Sequence, residues 1–307
     1  MTFQNKWTRI CLFALIGIIY SVPTAIIIWS YPRIFPSDFY LIMIWFLISA
    51  ATYYIMVLFF LNIAIVFKDK TNQYGNKLFK GFIFLFLAEF ISVIFSRLLN
   101  SCGWYLAATI EPSAYIYALE IITIGFILIS IIFLILSTFG WYYIYKAFSS
   151  SGGARLDKKS GVLLGKCILI VILYEVFSNY ENPISLLFDP IYGLIKIADF
   201  SVGTISTIIL MVFLFIVLKN IPSDDTFERE FKRGFRFYFF SIILNLVINI
   251  IIPIFEIWVG KYFIYDSIAY LVVFLIQLSS MVLMIVGFYF MTHSTKYWPT
   301  PAIILES

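Results

Sequence analysis

Seven ionisable side chains fall inside long apolar runs of this 307-residue sequence: Glu89, Arg97, Glu120, Glu175, Lys196, Asp199 and Glu256. An ionised group in hydrocarbon costs about 2.5–3.5 kcal/mol on insertion scales, so each needs a counter-ion, a wet cavity or a place near the interface. Arg97 stands near one end of its run and Glu120 near the start of the next, so antiparallel packing is expected to bring them together. Such a buried pair fixes register more than it adds stability. Lys196 and Asp199 are three residues apart and share a helical face, and Glu175 can join them from the preceding run. These groups read either as structural ion pairs snorkelling to the outer interface or as an outward-facing polar chamber. A chamber would suit a proton or cation route, or the docking of an extracytoplasmic partner. Glu89 differs, because it sits mid-run with no cation within reach on its own segment. A protonated carboxyl hydrogen-bonded to Asn245 or Asn249 explains it most economically; a proton relay is the sharper alternative.

Other chemistry finds little to stand on. The single histidine, His293, follows the last apolar run, between Thr292 and Ser294. Bis-histidine haem ligation requires a second imidazole, and Met291 and Met284 do not share a helical face with His293. Cys11, Cys102 and Cys167 are scattered and form no zinc or copper ligand set with it. They read as small buried hydrophobes rather than a disulfide framework. There is no P-loop, nucleophile elbow, His-Glu-x-x-His or Gly-rich dinucleotide turn. The expectation is a non-enzymatic chain with no catalytic residues, metal or cofactor of its own. Aromatics at run ends, such as "GWYYIY" at 140–145, suit interfacial belts.

The elements that must hold these groups are helices in a membrane. Hydrophobic residues make up 62% of the chain, charged residues 12%, and the mean hydropathy is +0.99; soluble domains carry about 25% charged residues. Apolar stretches of spanning length predict eight transmembrane helices, at about 9–29, 39–67, 81–99, 115–145, 162–178, 191–218, 237–259 and 266–291. They lack the alternation of transmembrane strands. All but four of the 21 Lys and Arg, the exceptions being Arg33, Arg97, Lys196 and Lys261, lie in segments 1–9, 68–80, 146–166, 219–236 and 292–307. By the positive-inside rule both termini are cytoplasmic. This charge bias is a topology signal, and no basic run suits a nucleic acid. The localisation expected is the cell membrane, in contact with lipid.

Internal similarity gives the domain organisation. "GFIFLF" at 81–86 matches "GFRFYF" at 234–239 at an offset of 153, "MVLFFL" from Met56 matches "MVFLFI" from Met211 at 155, and "GWYYI" from Gly140 matches "GFYFM" from Gly287 at 147. Two four-helix membrane repeats are expected, 1–150 and 151–307. An even number of spans per copy makes them parallel, about an axis along the membrane normal. The second copy lacks an acid at the point matching Glu89; Ser241 is close to it. The first run has a basic start and small residues, as a cleaved signal does, but its partner in the second copy argues for retention and against a seven-span receptor. "KAFSSSGGARLDKKSG" reads as the linker between copies. "KNIPSDDTFEREFKRG" reads as a loop whose Asp225 or Thr226 caps a short solvated surface helix.

In its Ile, Phe and Tyr bias, scarcity of His and Cys and dense apolar spans, the chain resembles the integral membrane B subunit that accompanies an extracytoplasmic b-type cytochrome in thermoacidophilic archaea. That resemblance implies a non-catalytic partner or anchor in an archaeal respiratory electron-transport chain, with haem b carried by a haem-bearing partner subunit. The docking face would include "NSCGWYLAATIEPSAY" and the loop around Glu181 to Pro190. The residues themselves leave a second class open: a small secondary transporter with a proton- or cation-coupled site between the duplicated halves.

Overall fold

The computed structural model describes residues 11, 14–18, 21, 25, 39–68, 73–109, 112–149, 158–178, 190–259 and 267–298, and the regular elements among them are all helical. They are α1 (Phe39–Lys68), α2 (Gln73–Thr109), α3 (Pro112–Phe148), α4 (Lys158–Ser178), α5 (Pro190–Asn220), α6 (Thr226–Val259) and α7 (Ser267–Ser294), with a short 3-10 turn at Thr295–Tyr297. Residues 14–18 belong to a further helical stretch. Helix suits these runs because it satisfies every backbone N–H and C=O within its own segment, which hydrocarbon demands.

Among the described residues, Ala50–Lys68, Tyr74–Gly103, Ala118–Phe148 and Leu275–Tyr297 are long and apolar enough to cross a membrane, and Gly161–Leu173 and Thr204–Asn220 are shorter apolar helices. The outer face of α3 shows what surrounds the bundle. Ile121, Ile124, Leu128, Ile131, Ile135, Phe139 and Tyr142 are all exposed and recur at steps of three and four, which makes one continuous apolar stripe. A stripe of that size facing water would be an association site; facing lipid, it has the solvent it needs.

Helix α2 runs well past the apolar segment 81–99 at both ends, because polar residues such as Asn76 and Lys77 continue a helix as readily as apolar ones once it is nucleated. The expected separate surface helix after Asp225 is instead the opening of α6. Asp225 caps it, its Oδ1 accepting a hydrogen bond of 2.7 Å from the Glu228 N–H, the usual N-cap geometry. Nor is this segment solvated all round, since Phe227, Phe231 and Phe235, at steps of four, are buried. Lys232 donates to the Ile221 carbonyl at 2.7 Å and to Ser223 Oγ at 3.2 Å, tying the end of α5 to the second turn of α6.

Two helix pairs cross at glycines. A Cβ on Gly81 would lie 3.0 Å from the Gly140 carbonyl oxygen, and one on Gly140 would lie 3.1 Å from the Gly81 oxygen. In the α6–α7 pair the equivalent distances are 2.5 Å from Gly234 to the Gly287 oxygen and 2.7 Å for the reverse. Small residues at such points let backbones touch, which is how helices bind one another where lipid removes the hydrophobic drive. The rest of the bundle packs α1 on α2, α3 on α5, α4 on α5 and α6, and α1 on α7. Ile16 of the first helical stretch packs against Val57, Leu61 and Ile65 of α1.

The largest core cluster lies towards the cation-bearing ends of the helices and is strongly aromatic. Phe67 and Phe82 stack at 5.9 Å, Tyr74 and Trp298 at 5.3 Å, and Trp298 meets Phe227 edge-on at 4.9 Å. Deeper in, Phe59 of α1 lies parallel to Phe288 of α7 at 3.7 Å and 4°. Of the three cysteines only Cys167 is buried, while Cys11 and Cys102 are exposed, so the expectation of three buried hydrophobes is overturned for two of them.

Candidate functional site

A cavity of about 600 Å³ opens in the middle of the bundle, lined from helices of both the first and second halves of the sequence. Helix α2 contributes one stripe: Glu89, Ser92, Val93, Ser96, Arg97 and Asn100. The steps of three and four between them place all six on one face. Thr52, Tyr53 and Met56 of α1 stand beside it. Ser241, Ile242, Asn245 and Leu246 of α6 and Gln277, Ser280, Met281 and Met284 of α7 form the facing wall, with Phe133, Leu210 and Tyr238 completing the lining.

The facing wall is held by its own hydrogen bonds. Ser241 Oγ and Ser280 Oγ are 3.0 Å apart, and Ser280 Oγ also donates to the Ser241 carbonyl at 3.0 Å. Both serines are buried, so the bond fixes the α6–α7 spacing at cavity level. On the cation-bearing side the cavity ends at rings: Tyr238 packs on Phe60 at 6.2 Å and on Phe288 at 5.6 Å, above the Phe59–Phe288 stack. These rings make an aromatic floor.

Glu89 and Arg97 are the acid and base of the lining among the described residues. Both belong to one stripe of α2, two turns and so about 12 Å of axial rise apart, which leaves standing the expectation that Glu89 has no cation within reach on its own segment. Glu89 makes no direct side-chain hydrogen bond among the described residues; Asn245 shares its cavity without bonding it, and the side chain of Asn249 lies outside the described residues. Arg97 is buried and its guanidinium carbon stands 6.0 Å from the centre of the Tyr53 ring, at the limit of a cation–π contact.

The expected Arg97–Glu120 pair is absent, and the glycine crossing explains why. Gly81 faces Ile144, Leu85 faces Gly140, Leu99 faces Gly125 and Gly103 faces Ile122. In that register Arg97 is level with residue 128, and Glu120 with residue 105. The two charges are thus about 12 Å apart along the axis, at about 1.5 Å per residue. Sequence position at matching run ends overstated their proximity.

The side chains of Glu175, Lys196, Asp199 and Glu256 lie outside the described residues; their backbones belong to α4, α5, α5 and α6. His293 stacks on Tyr289 at 5.6 Å and meets Tyr297 at 5.5 Å, beyond the end of the cavity. Among the described residues no group of three or more His, Cys, Asp or Glu is arranged to hold a metal. The residues that sequence reasoning missed are Ser92, Ser96, Asn100, Gln277 and Ser280. Their signal was present as polar residues at helical spacing around Glu89 and around Gln277.

No protein-family model matches this chain, and neither a curated protein nor a solved structure matches it. What fold and site define is a helical protein with spans suited to a membrane and a mostly apolar cavity that carries several polar side chains, lined from both halves of the sequence. A carboxyl in such a place is stable either protonated or against a cation.

Proposed function

We propose that the chain is a small secondary transporter of the cell membrane, with its substrate held in the central cavity and Glu89 as the coupling group. In this reading eight transmembrane helices form two parallel four-helix repeats, residues 1–150 and 151–307, with both termini cytoplasmic and no catalytic step. The observation that carries it is the position of the cavity, a chamber of about 600 Å³ lined from both halves with Glu89 in its wall. Ligand sites at the repeat interface near the midplane are the common arrangement in transporters.

Duplication is supported by the glycine crossings, since the pairs Gly81–Gly140 and Gly234–Gly287 are those the sequence offsets match, and each makes the same backbone contact. It is supported again by exchange of neighbours: α3 packs on α5, and α7 packs on α1. In each case the last helix of one half meets the second of the other. Ser241, close to the repeat equivalent of Glu89, faces the same cavity, so among the described residues one carboxyl serves one shared site.

With the cations cytoplasmic, the aromatic floor closes the inner side and the cavity faces outward. Opening to the inside then requires Phe59 and Phe288 to part, which rocking of one half against the other would do. The test is flux driven by an imposed pH gradient in proteoliposomes. Glu89→Gln keeps shape and removes the titrating group, so it should abolish coupled flux while the protein stays folded. The companion-subunit reading predicts instead a b-type cytochrome that copurifies from native membranes.

A further inference from the structure

The two glycine crossings carry the same companions on their outer side. In the α2–α3 pair, Lys80 precedes Gly81 and its Nζ stands 5.9 Å from the centre of the Tyr143 ring. Phe84 stacks on Tyr143 at 5.8 Å and 1°. Tyr142 meets Tyr143 edge-on at 5.8 Å, and the Lys146 Nζ lies 5.8 Å from the Tyr142 ring centre. In the α6–α7 pair, Arg233 precedes Gly234 and its guanidinium carbon is 4.2 Å from the centre of Phe290. Phe237 stacks on Phe290 at 5.8 Å and 12°, Tyr289 meets Phe290 edge-on at 5.6 Å, and His293 stacks on Tyr289 at 5.6 Å. Counted from the glycines, each of these residues holds the same position in both pairs. Side chains change between the copies, but the order of basic group, ring, ring and basic group does not.

We infer that this arrangement is a seat for a phospholipid headgroup, and that the α2–α3 seat selects an anionic one, whatever the cavity carries. Tyr142 ends the exposed apolar stripe of α3, next to Phe139 and Ile135, and Tyr289 follows the exposed Val282 and Ile285 on one face of α7. The basic groups thus stand where a lipid-facing surface gives way to polar helix ends, at headgroup depth. A ring face holds a cation in place and leaves its outward N–H groups to donate charge-assisted bonds to phosphate oxygens. Lys80, Lys146 and Arg233 are exposed, and among the described residues none of the three forms an ion pair. The apolar stripes receive the acyl chains, which makes a membrane lipid the occupant rather than a soluble phosphate.

One position separates the two seats. Lys77 Nζ donates to the Lys146 carbonyl at 3.3 Å, which brings a further cation to the α2–α3 seat. The same position in the α6–α7 pair is Glu230, one turn before Arg233. Its carboxylate repels a headgroup of net negative charge and suits one that also bears an ammonium group.

The experiment titrates the full chain, in a neutral detergent, with phosphatidylglycerol or phosphatidylcholine and counts retained lipids by native mass spectrometry. A juxtamembrane lysine is worth about fivefold in attraction to anionic lipid, so the native chain should hold phosphatidylglycerol about tenfold or more tighter than phosphatidylcholine. Lys80→Gln combined with Lys146→Gln should weaken phosphatidylglycerol by about 25-fold, with phosphatidylcholine binding and lipid-free thermal stability unchanged. Lys166→Gln combined with Arg236→Gln removes two exposed cations elsewhere and should alter neither lipid. Glu230→Gln should add a second tightly held phosphatidylglycerol. Equal weakening by the two double variants would reduce the effect to general surface charge and overturn the seat. Equal affinity of the native chain for both lipids, or no retention of either, would overturn it too. Displacement of the lipid by free glycerol phosphate would overturn lipid as the occupant.

Discussion

Ser241 and Ser280 join two helices at the cavity wall by a pair of buried hydrogen bonds, and the expected value of that join is small. Interhelical hydrogen bonds between side chains in membranes average about 0.6 kcal/mol, because the separated helices also find partners. Ser241→Ala should therefore lower unfolding stability in detergent by about 0.5–1 kcal/mol, measured by denaturant titration. The Glu89 position was legible as an oddity in the sequence, since a mid-run acid stands out against "GFIFLFLAEFISVIF". Its surroundings were only half legible. The stripe Ser92, Ser96, Arg97 and Asn100 follows from helical spacing, but Tyr53, Ser241 and Gln277 reach the cavity from helices far away in sequence. Arg97 was misplaced for a related reason: run ends report depth to within a turn or two, while pairing depends on register.

Register belongs to the elements, and here glycines set it. A side chain on Gly234 would meet the Gly287 oxygen and the Met291 backbone nitrogen, 2.5 and 2.7 Å from the new Cβ, and backbone cannot yield as a flexible side chain can. Gly234→Ala should cost about 1–3 kcal/mol by overpacking, and Gly234→Leu should prevent assembly of the α6–α7 pair, read as loss of a monodisperse peak on size exclusion. Gly161 and Gly165 meet nothing within 4 Å, so alanine there should be tolerated, which separates close approach from a general effect of added bulk. At the start of α6, Asp225→Ala removes the cap and should cost about 1 kcal/mol. The cap was readable from "SDDTFE", as were the helices, because hydropathy and capping are local. What hydropathy did not reveal is that the capped segment continues unbroken into the span: burial of Phe227, Phe231 and Phe235 against α1, α3 and the C-terminal Trp298 is a tertiary fact.

For the whole molecule, the two glycine crossings, the packing of α3 on α5 and of α7 on α1, and a cavity lined from both halves of the sequence describe one bundle of helices around a partly polar centre. Accessibility follows from it. In a variant lacking the native cysteines, Asn100→Cys and Gln277→Cys should react with a membrane-impermeant maleimide added from outside intact cells, whereas His293→Cys, beyond the aromatic floor, should not. Labelling of His293→Cys from outside with protection of the other two would reverse the orientation assigned to the cavity. The most direct measurement of the central claim is the proton flux that accompanies solute movement in proteoliposomes of the native chain and of Glu89→Gln. The account predicts coupled flux in the first and none in the second, with equal thermal stability in detergent. Equal flux in both, or an inert chain that leaves native membranes bound in stoichiometric amount to a haem protein, would contradict it.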